Sequence, residues 1–446
     1  MSKTFITAAT LLAAVSAIPH GGHNGTPGYK PGNGEDSCGQ IILPMDDSVH
    51  GAAFNISLGT PAQTVTLLAD WTWQTTWVDT PDCYGNYSVA DCIPKGQNFF
   101  NDQASTSFVD DKTQITQSWL GTDYTPGLGF RNDFGSDKLC FHSDANGENL
   151  CAPSVEISVS NFTSKLPVIF DIGGVFGLAP VLPEYNSTFW PTPYQMWKQG
   201  ILGSNNGWHM CGGLKDYSTC YGKKYLTILG GTDTTVYDTK KTVYHPTSFS
   251  PCLNSGPHLN LTPPRYNYWS TVWSGIWVGS TSYSLKADAA PAYNATTASP
   301  QCDPIDALAV WDQDKFGYGA AMPFAAFNAL VSLTDAHIAY NNNTPGLFAV
   351  NSGNASIWQV DCAKVSSFPT LTYEFGHKQN ITLVPSQYID TSMYAGQCLL
   401  NARPWDRAIE GAQTFFGLTV LSRSHLEFDF ATNMVGISPL NKELYE

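Results

Sequence analysis

Two acidic segments carry the chemistry that this 446-residue sequence offers. Asp70 ends the apolar run Leu67-Leu68-Ala69-Asp70, and Asp312 and Asp314 follow a second one in Ala309-Val310-Trp311-Asp312-Gln313-Asp314. Carboxyl groups brought together from such segments work in two ways. Held in contact, they share one proton and activate a water; held about 5 to 9.5 Å apart, they cleave a glycosidic bond. Trp71, Trp73 and Gln74 follow Asp70 directly, and indole faces with a nearby amide are fit for stacking on sugar rings. Lys315 and Tyr318 stand three apart beside the second acids. With Tyr124 and Arg131 they suit β-elimination from a uronate, in which a base takes the proton beside a carboxylate while a cation offsets the developing charge. The plainer alternatives are core packing for the indoles and an ordinary ion pair for Lys315.

Such groups need a rigid frame, and the sequence predicts one made of strands. Short apolar runs alternate with Gly, Asn, Asp and Pro turns at Phe54 to Leu58, Val65 to Leu68, Leu226 to Leu229, Ile276 to Val278, Leu371 to Phe375 and Leu426 to Phe430. Only Pro193 to Gln199 and Pro323 to Leu333 read as helices, the latter starting on a proline. The plan is duplicated. Asp70 is followed 107 residues later by Gly177 in G-G-V-F-G-L-A, and Asp314 is followed 103 residues later by Gly417 in T-F-F-G-L-T-V.

Composition bounds the setting. Met1 to Ala17 has the lysine, apolar stretch and small-residue end of a signal peptide, and residues 18–40 read as a flexible leader. N-x-S/T sequons at Asn24, Asn55, Asn86, Asn161, Asn186, Asn260, Asn294, Asn342, Asn354 and Asn380 agree with an extracellular glycoprotein. Eleven cysteines in an exported chain predict disulfides. Local spacing pairs Cys83 with Cys92, Cys140 with Cys151, Cys211 with Cys220, Cys252 with Cys302, and Cys362 with Cys398, leaving Cys38. No zinc spacing and no cofactor motif occur, so neither a metal nor a cofactor is expected. The net charge of −15 argues against nucleic acid and anionic membranes as partners. Charged residues are only 13% of the chain, against about 25% in ordinary globular domains. A neutral extended polymer, handled by a monomer, fits that surface.

The stretch F-N-I-S-L-G-T-P-A-Q-T-V-T-L-L-A-D from Phe54 to Asp70 is similar to the first strands of the pepsin-type aspartic protease family, with Asp70 at the family's first catalytic aspartate. The resemblance continues through Phe170 to Pro180, Leu226 to Asp233, Tyr268 to Gly279 and Phe416 to Pro439, and Cys362 and Cys398 resemble the family's C-lobe disulfide. It implies an all-β, bilobal, pepsin-like double β-barrel with a long central cleft and few short helices, its lobes spanning residues 41–243 and 244–446. It also sets Trp77 at a structural aromatic position, Trp119 near the flap aromatic, and Tyr124 and Arg131 in the flap region.

The motifs that the resemblance locates are altered. Each family lobe supplies D-T-G or D-S-G, whose hydroxyl ties the two loops together and whose glycine lets backbone pass the carboxylates. Here Trp71 replaces the hydroxyl residue and Thr72 the glycine, and an indole has no acceptor with which to form the tie. In the second loop, counting back from Pro323 selects Asp314, followed by Lys315, whereas the apolar approach selects Asp312, followed by Gln313. A basic prosegment is not evident, since Lys30 is the only lysine or arginine between Ala17 and Ile41. The expectation is a secreted pepsin-fold protein recruited to bind and cleave cell-wall polysaccharide, as lyase or glycoside hydrolase. The alternatives are a binding protein or enzyme inhibitor, served by the long loops Cys83 to Phe100 and Thr281 to Pro304, and an atypical aspartic endopeptidase.

Overall fold

The computed structural model describes residues 39–48, 51–83, 99–118, 129–162, 172–181, 187–248, 268–285, 306–313, 319–341, 356–391, 396–405 and 413–445. Asp36 to Glu446 forms one compact unit. Strands dominate it. The expected apolar runs lie within Ala52–Leu58, Gln63–Asp70, Tyr225–Leu229, Ser270–Val278, Leu371–Phe375 and Ser424–Asp429, the last ending one residue before the predicted Phe430. The two expected helices are Thr192–Lys198 and Phe324–Thr334, the second capped by Pro323. Proline fits this boundary because it has no N–H to leave unpaired at a helix start.

Three sets of strands position the acids. The first-half sheet places Ala52–Leu58 beside Gln63–Asp70, which runs parallel to Gly174–Gly177. The second-half sheet places Ser270–Val278 beside Ala307–Trp311, which runs parallel to Gln413–Phe416. The duplication read from the sequence is therefore visible as the same acid-bearing parallel pair, formed twice. A run of six antiparallel strands underlies both. In order it holds Val243–Pro246, Met434–Pro439, Ser424–Asp429, Asn205–Met210, Tyr225–Leu229 and Ile41–Asp47. Its central joint, Ser424–Asp429 against Asn205–Met210, unites strands from the two halves of the chain.

The core fills the sheet faces with large aromatics. Trp208, Trp269, Trp273, Trp311 and Trp405 are each less than 2% exposed, and each indole buries on the order of 200 Å². Predicted disulfides Cys140–Cys151, Cys211–Cys220 and Cys362–Cys398 are formed. Cys92, Cys252, Cys302 and Cys38 lie outside the described residues. Of the sequons, Asn55 and Asn380 are exposed, and Asn161 lies in the strand Asn149–Phe162. The other seven asparagines lie outside the described residues. Among the described residues no helix is long and apolar enough to cross a membrane.

Candidate active site

Strand register decides between the two second-loop acids. Asp70 stands opposite Gly177 at the end of its parallel pair. In the second pair the last matched residues are Trp311 and Phe416, and the Asp312 N–H donates to the Phe416 carbonyl at 3.1 Å. One step further brings Asp312 opposite Gly417, the position that Asp70 holds against Gly177. Asp312 is therefore the counterpart of Asp70. Counting back from Pro323 selects Asp314 instead, which lies outside the described residues.

Gly177 is required by close approach. A Cβ there would lie 2.3 Å from the Gln74 carbonyl oxygen and 2.6 Å from that of Thr75, inside any tolerable contact, so backbone packs directly behind the first acid.

Both acids are buried, Asp70 at 4% and Asp312 at 2% exposure. Asp70 Oδ1 accepts from the Thr72 N–H at 2.7 Å and from the Thr72 hydroxyl at 2.6 Å. Burial drives the Asp70 pKa above its ordinary value, and the bonds from Thr72 and the Trp73 N–H oppose the rise without reversing it. Asp70 is thus an acid disposed to keep a proton. Thr72, which replaces the expected glycine, is accommodated and supplies that hydroxyl bond from within the loop.

The cross-loop tie, expected to be lost, survives in another form. Gln313 is fully buried, and its Oε1 accepts from the Trp71 N–H at 3.2 Å. A side-chain amide on the second loop thus holds the backbone of the first, next to both acids. Gln313 Nε2 has no hydrogen-bond partner among the described residues.

A second brace was not anticipated. The Leu178 N–H donates to the Asp70 carbonyl at 2.8 Å, the Trp269 indole N–H donates to the Leu178 carbonyl at 2.7 Å, and the Trp311 N–H donates to the Trp269 carbonyl at 2.9 Å. Asp312 is the next residue. A continuous chain of hydrogen bonds therefore joins the backbone of one acid to the neighbour of the other. Trp269 lay within the family-like stretch, but its indole bond depends on a fold contact that no local pattern announces.

The tryptophans assigned to substrate are elsewhere. Trp71 is 2% exposed and packs against Trp208 at 5.0 Å and Phe428 at 4.5 Å between ring centroids. Trp73 is 4% exposed against Trp77, and Gln74 is 2% exposed. These three are packing residues beneath the acids, which corrects the expectation of sugar-stacking platforms. Asp314, Lys315, Tyr318, Trp119 and Tyr124 lie outside the described residues. Arg131 lies in the hairpin strand Gly129–His142, opposite Thr116. Among the described residues, His209, Cys211 and Cys220 alone gather three metal-ligating atoms. The two sulfurs are joined in a disulfide, so that donor set is closed.

Fold and site define a pepsin-fold protein with two equivalent buried aspartates held by cross-half ties. No family model matches the chain, but curated relatives do. The secreted aspartic protease LUC8 of a Fusarium species is 32% identical over 447 residues, covering 97% of each chain. The secreted aspartic protease FUS4 of Gibberella moniliformis is 32% identical over 90% of this chain and 91% of its own. The aspartic protease-like protein pytH of Aspergillus terreus is 26% identical over 87% and 90%. The chain belongs to the pepsin-type aspartic protease family, and it is a secreted protein.

Proposed function

We propose that the protein is an extracellular acid endopeptidase in which Asp70 and Asp312 share one proton and activate water against a peptide carbonyl. The observation that carries this reading is the bond from the Trp71 N–H to Gln313 Oε1, which couples the residues directly following the two acids. An altered motif is compatible with a working pair only if something replaces the lost hydroxyl, and Gln313 is that replacement. The raised pKa of Asp70 favours its neutral form, so Asp70 is the partner that holds the shared proton.

In the resulting sequence the ionised carboxylate removes a proton from water as oxygen attacks the carbonyl carbon. The neutral carboxyl donates its proton to the carbonyl oxygen, giving a geminal diol. Proton return to the amide nitrogen then breaks the C–N bond, releasing acid and amine. The buried setting strengthens each of these interactions relative to water.

A cell-wall polysaccharide is the second substrate class, favoured by the low charged content of 13%. Its support is reduced because Trp71, Trp73 and Gln74 present no exposed face. Mixed peptide libraries and plant and microbial cell-wall polysaccharides, incubated with wild type and Asp70→Asn, separate the two. Peptide cleavage near pH 4 to 6 that Asp70→Asn abolishes supports the proposal. Reducing ends or unsaturated uronates without peptide products would replace it with glycoside hydrolysis or lyase chemistry.

A further inference from the structure

The strand Ile41–Asp47 serves two sheets. Ile41 to Met45 pair with Tyr225–Leu229, and only Asp46 and Asp47 pair with Ala52–Leu58. Where it leaves Ala52–Leu58 a cleft of about 270 Å³ opens, lined by Leu43, Pro44, Asn55 and Thr64 together with the exposed His142 and Asp144. The volume falls below the range of drug-sized ligand sites and suits one sugar ring. Half-buried Pro44 beside the exposed His142 and Asp144 matches the two kinds of surface that a pyranose presents.

Asn55 is exposed and begins the sequon Asn55-Ile56-Ser57. Its Oδ1 accepts from the Thr66 hydroxyl at 2.6 Å, from the residue directly across the hairpin. That bond fixes the amide plane and leaves Nδ2 available for attachment. We propose that an N-linked glycan on Asn55 seats its first N-acetylglucosamine in this cleft, where it seals the divergence between the two sheets. In the attachment step Nδ2 bonds to C1 of a lipid-pyrophosphate sugar donor, the lipid pyrophosphate leaves, and the nitrogen loses one proton. The cleft is small and open, and would hold a free sugar weakly. Tethering makes the contact intramolecular, at an effective concentration in the millimolar range.

Protein secreted from a glycosylating host tests this directly. One portion is trimmed by an endoglycosidase that leaves a single N-acetylglucosamine, and another by an amidase that removes it. Peptide mass spectrometry reads the sugar on Asn55, and amide exchange reads Leu43 to Asp47. The one-sugar form is expected to retain protection at Leu43 to Asp47 and a higher melting temperature, with both lost in the sugar-free form. In Ser57→Ala, which removes the sequon but keeps Asn55, the one-sugar form is expected to lack that protection. An unmodified Asn55 peptide, or equal exchange at Leu43 to Asp47 in the one-sugar and sugar-free forms of wild type, overturns the proposal.

Discussion

The joint between the halves should weaken as acid is added, and two buried histidines set how much. His209 and His425 face each other directly across the strands Asn205–Met210 and Ser424–Asp429, with ring centroids 5.5 Å apart and their Nδ1 atoms 3.4 Å apart. Both are fully buried, and neither Nε2 has a hydrogen-bond partner among the described residues. Tyr237 stacks on His425 at 4.4 Å, and Asp233 is the carboxylate whose charge reaches His209. Glu427, next but one along the strand, is occupied by the hydroxyls of Tyr237 at 2.5 Å and Tyr244 at 2.6 Å. Nearby Gly207 leaves room for the His425 ring, which a Cβ would approach to 3.1 Å.

Burial pushes His209 down to about 4 from 6.5, with Asp233 opposing, and burial with the neighbouring His209 pushes His425 well down. Between pH 6.5 and about 4 the unfolded chain therefore binds protons that the folded chain refuses, so stability rises with pH across that window. Falling pH removes it, and the His209 share of the loss levels off below about 4. At about 1.4 kcal/mol per pH unit, His209 alone accounts for about 3 kcal/mol, and His425 adds loss of the same sign. Urea unfolding at pH 7, 5.5 and 4 measures the slope in wild type and in His209→Phe/His425→Phe. Between pH 7 and pH 4 the variant should lose less stability than wild type by at least about 3 kcal/mol. An unchanged slope would refute the reasoning, because no other paired groups differ between the two proteins.

Other expectations bear on the site itself. Gln313→Ala leaves the Trp71 N–H buried without its acceptor, at a cost of about 1–3 kcal/mol, and should lower kcat by about 100-fold through loop misplacement with KM nearly unchanged. Kinetics on a cleaved peptide check this. Trp71→Ala should destabilise by about 3–5 kcal/mol in denaturant titration while leaving binding of a peptide inhibitor intact, as a core residue would. Gly177→Ala forces a Cβ to within 2.3 Å of the Gln74 carbonyl oxygen, so loss of folded yield or of all activity is expected; full activity and yield would contradict the close packing behind Asp70.

Much of the fold was legible because strand patterns are local. Phe54 to Leu58 and Leu371 to Phe375 show their alternation or apolar runs without reference to partners, and the duplicated plan of an acid followed by a later glycine strand is seen in two parallel pairs, with Asp312 as the second acid. The direction of Trp71 was also legible in principle. Val65, Leu67 and Ala69 alternate along the strand Gln63–Asp70, Trp71 continues that period one residue past its end, and all four belong to the buried core. The choice between Asp312 and Asp314 was not legible, because it depends on which residue pairs with Phe416 and not on a count from Pro323. Gln313 and Trp269 were missed for a related reason. Each acts through one long-range hydrogen bond, to Trp71 and Leu178 respectively, and such bonds follow from the assembled fold.

The most direct test of the central claim is the pH profile of kcat/KM on a cleavable peptide for wild type, Asp70→Asn, Asp312→Asn and Asp314→Asn. A bell-shaped profile is expected in wild type, as two coupled carboxyls require, with its abolition in Asp70→Asn and Asp312→Asn and its persistence in Asp314→Asn. Activity that survives Asp312→Asn but vanishes in Asp314→Asn would contradict the pairing of Asp70 with Asp312.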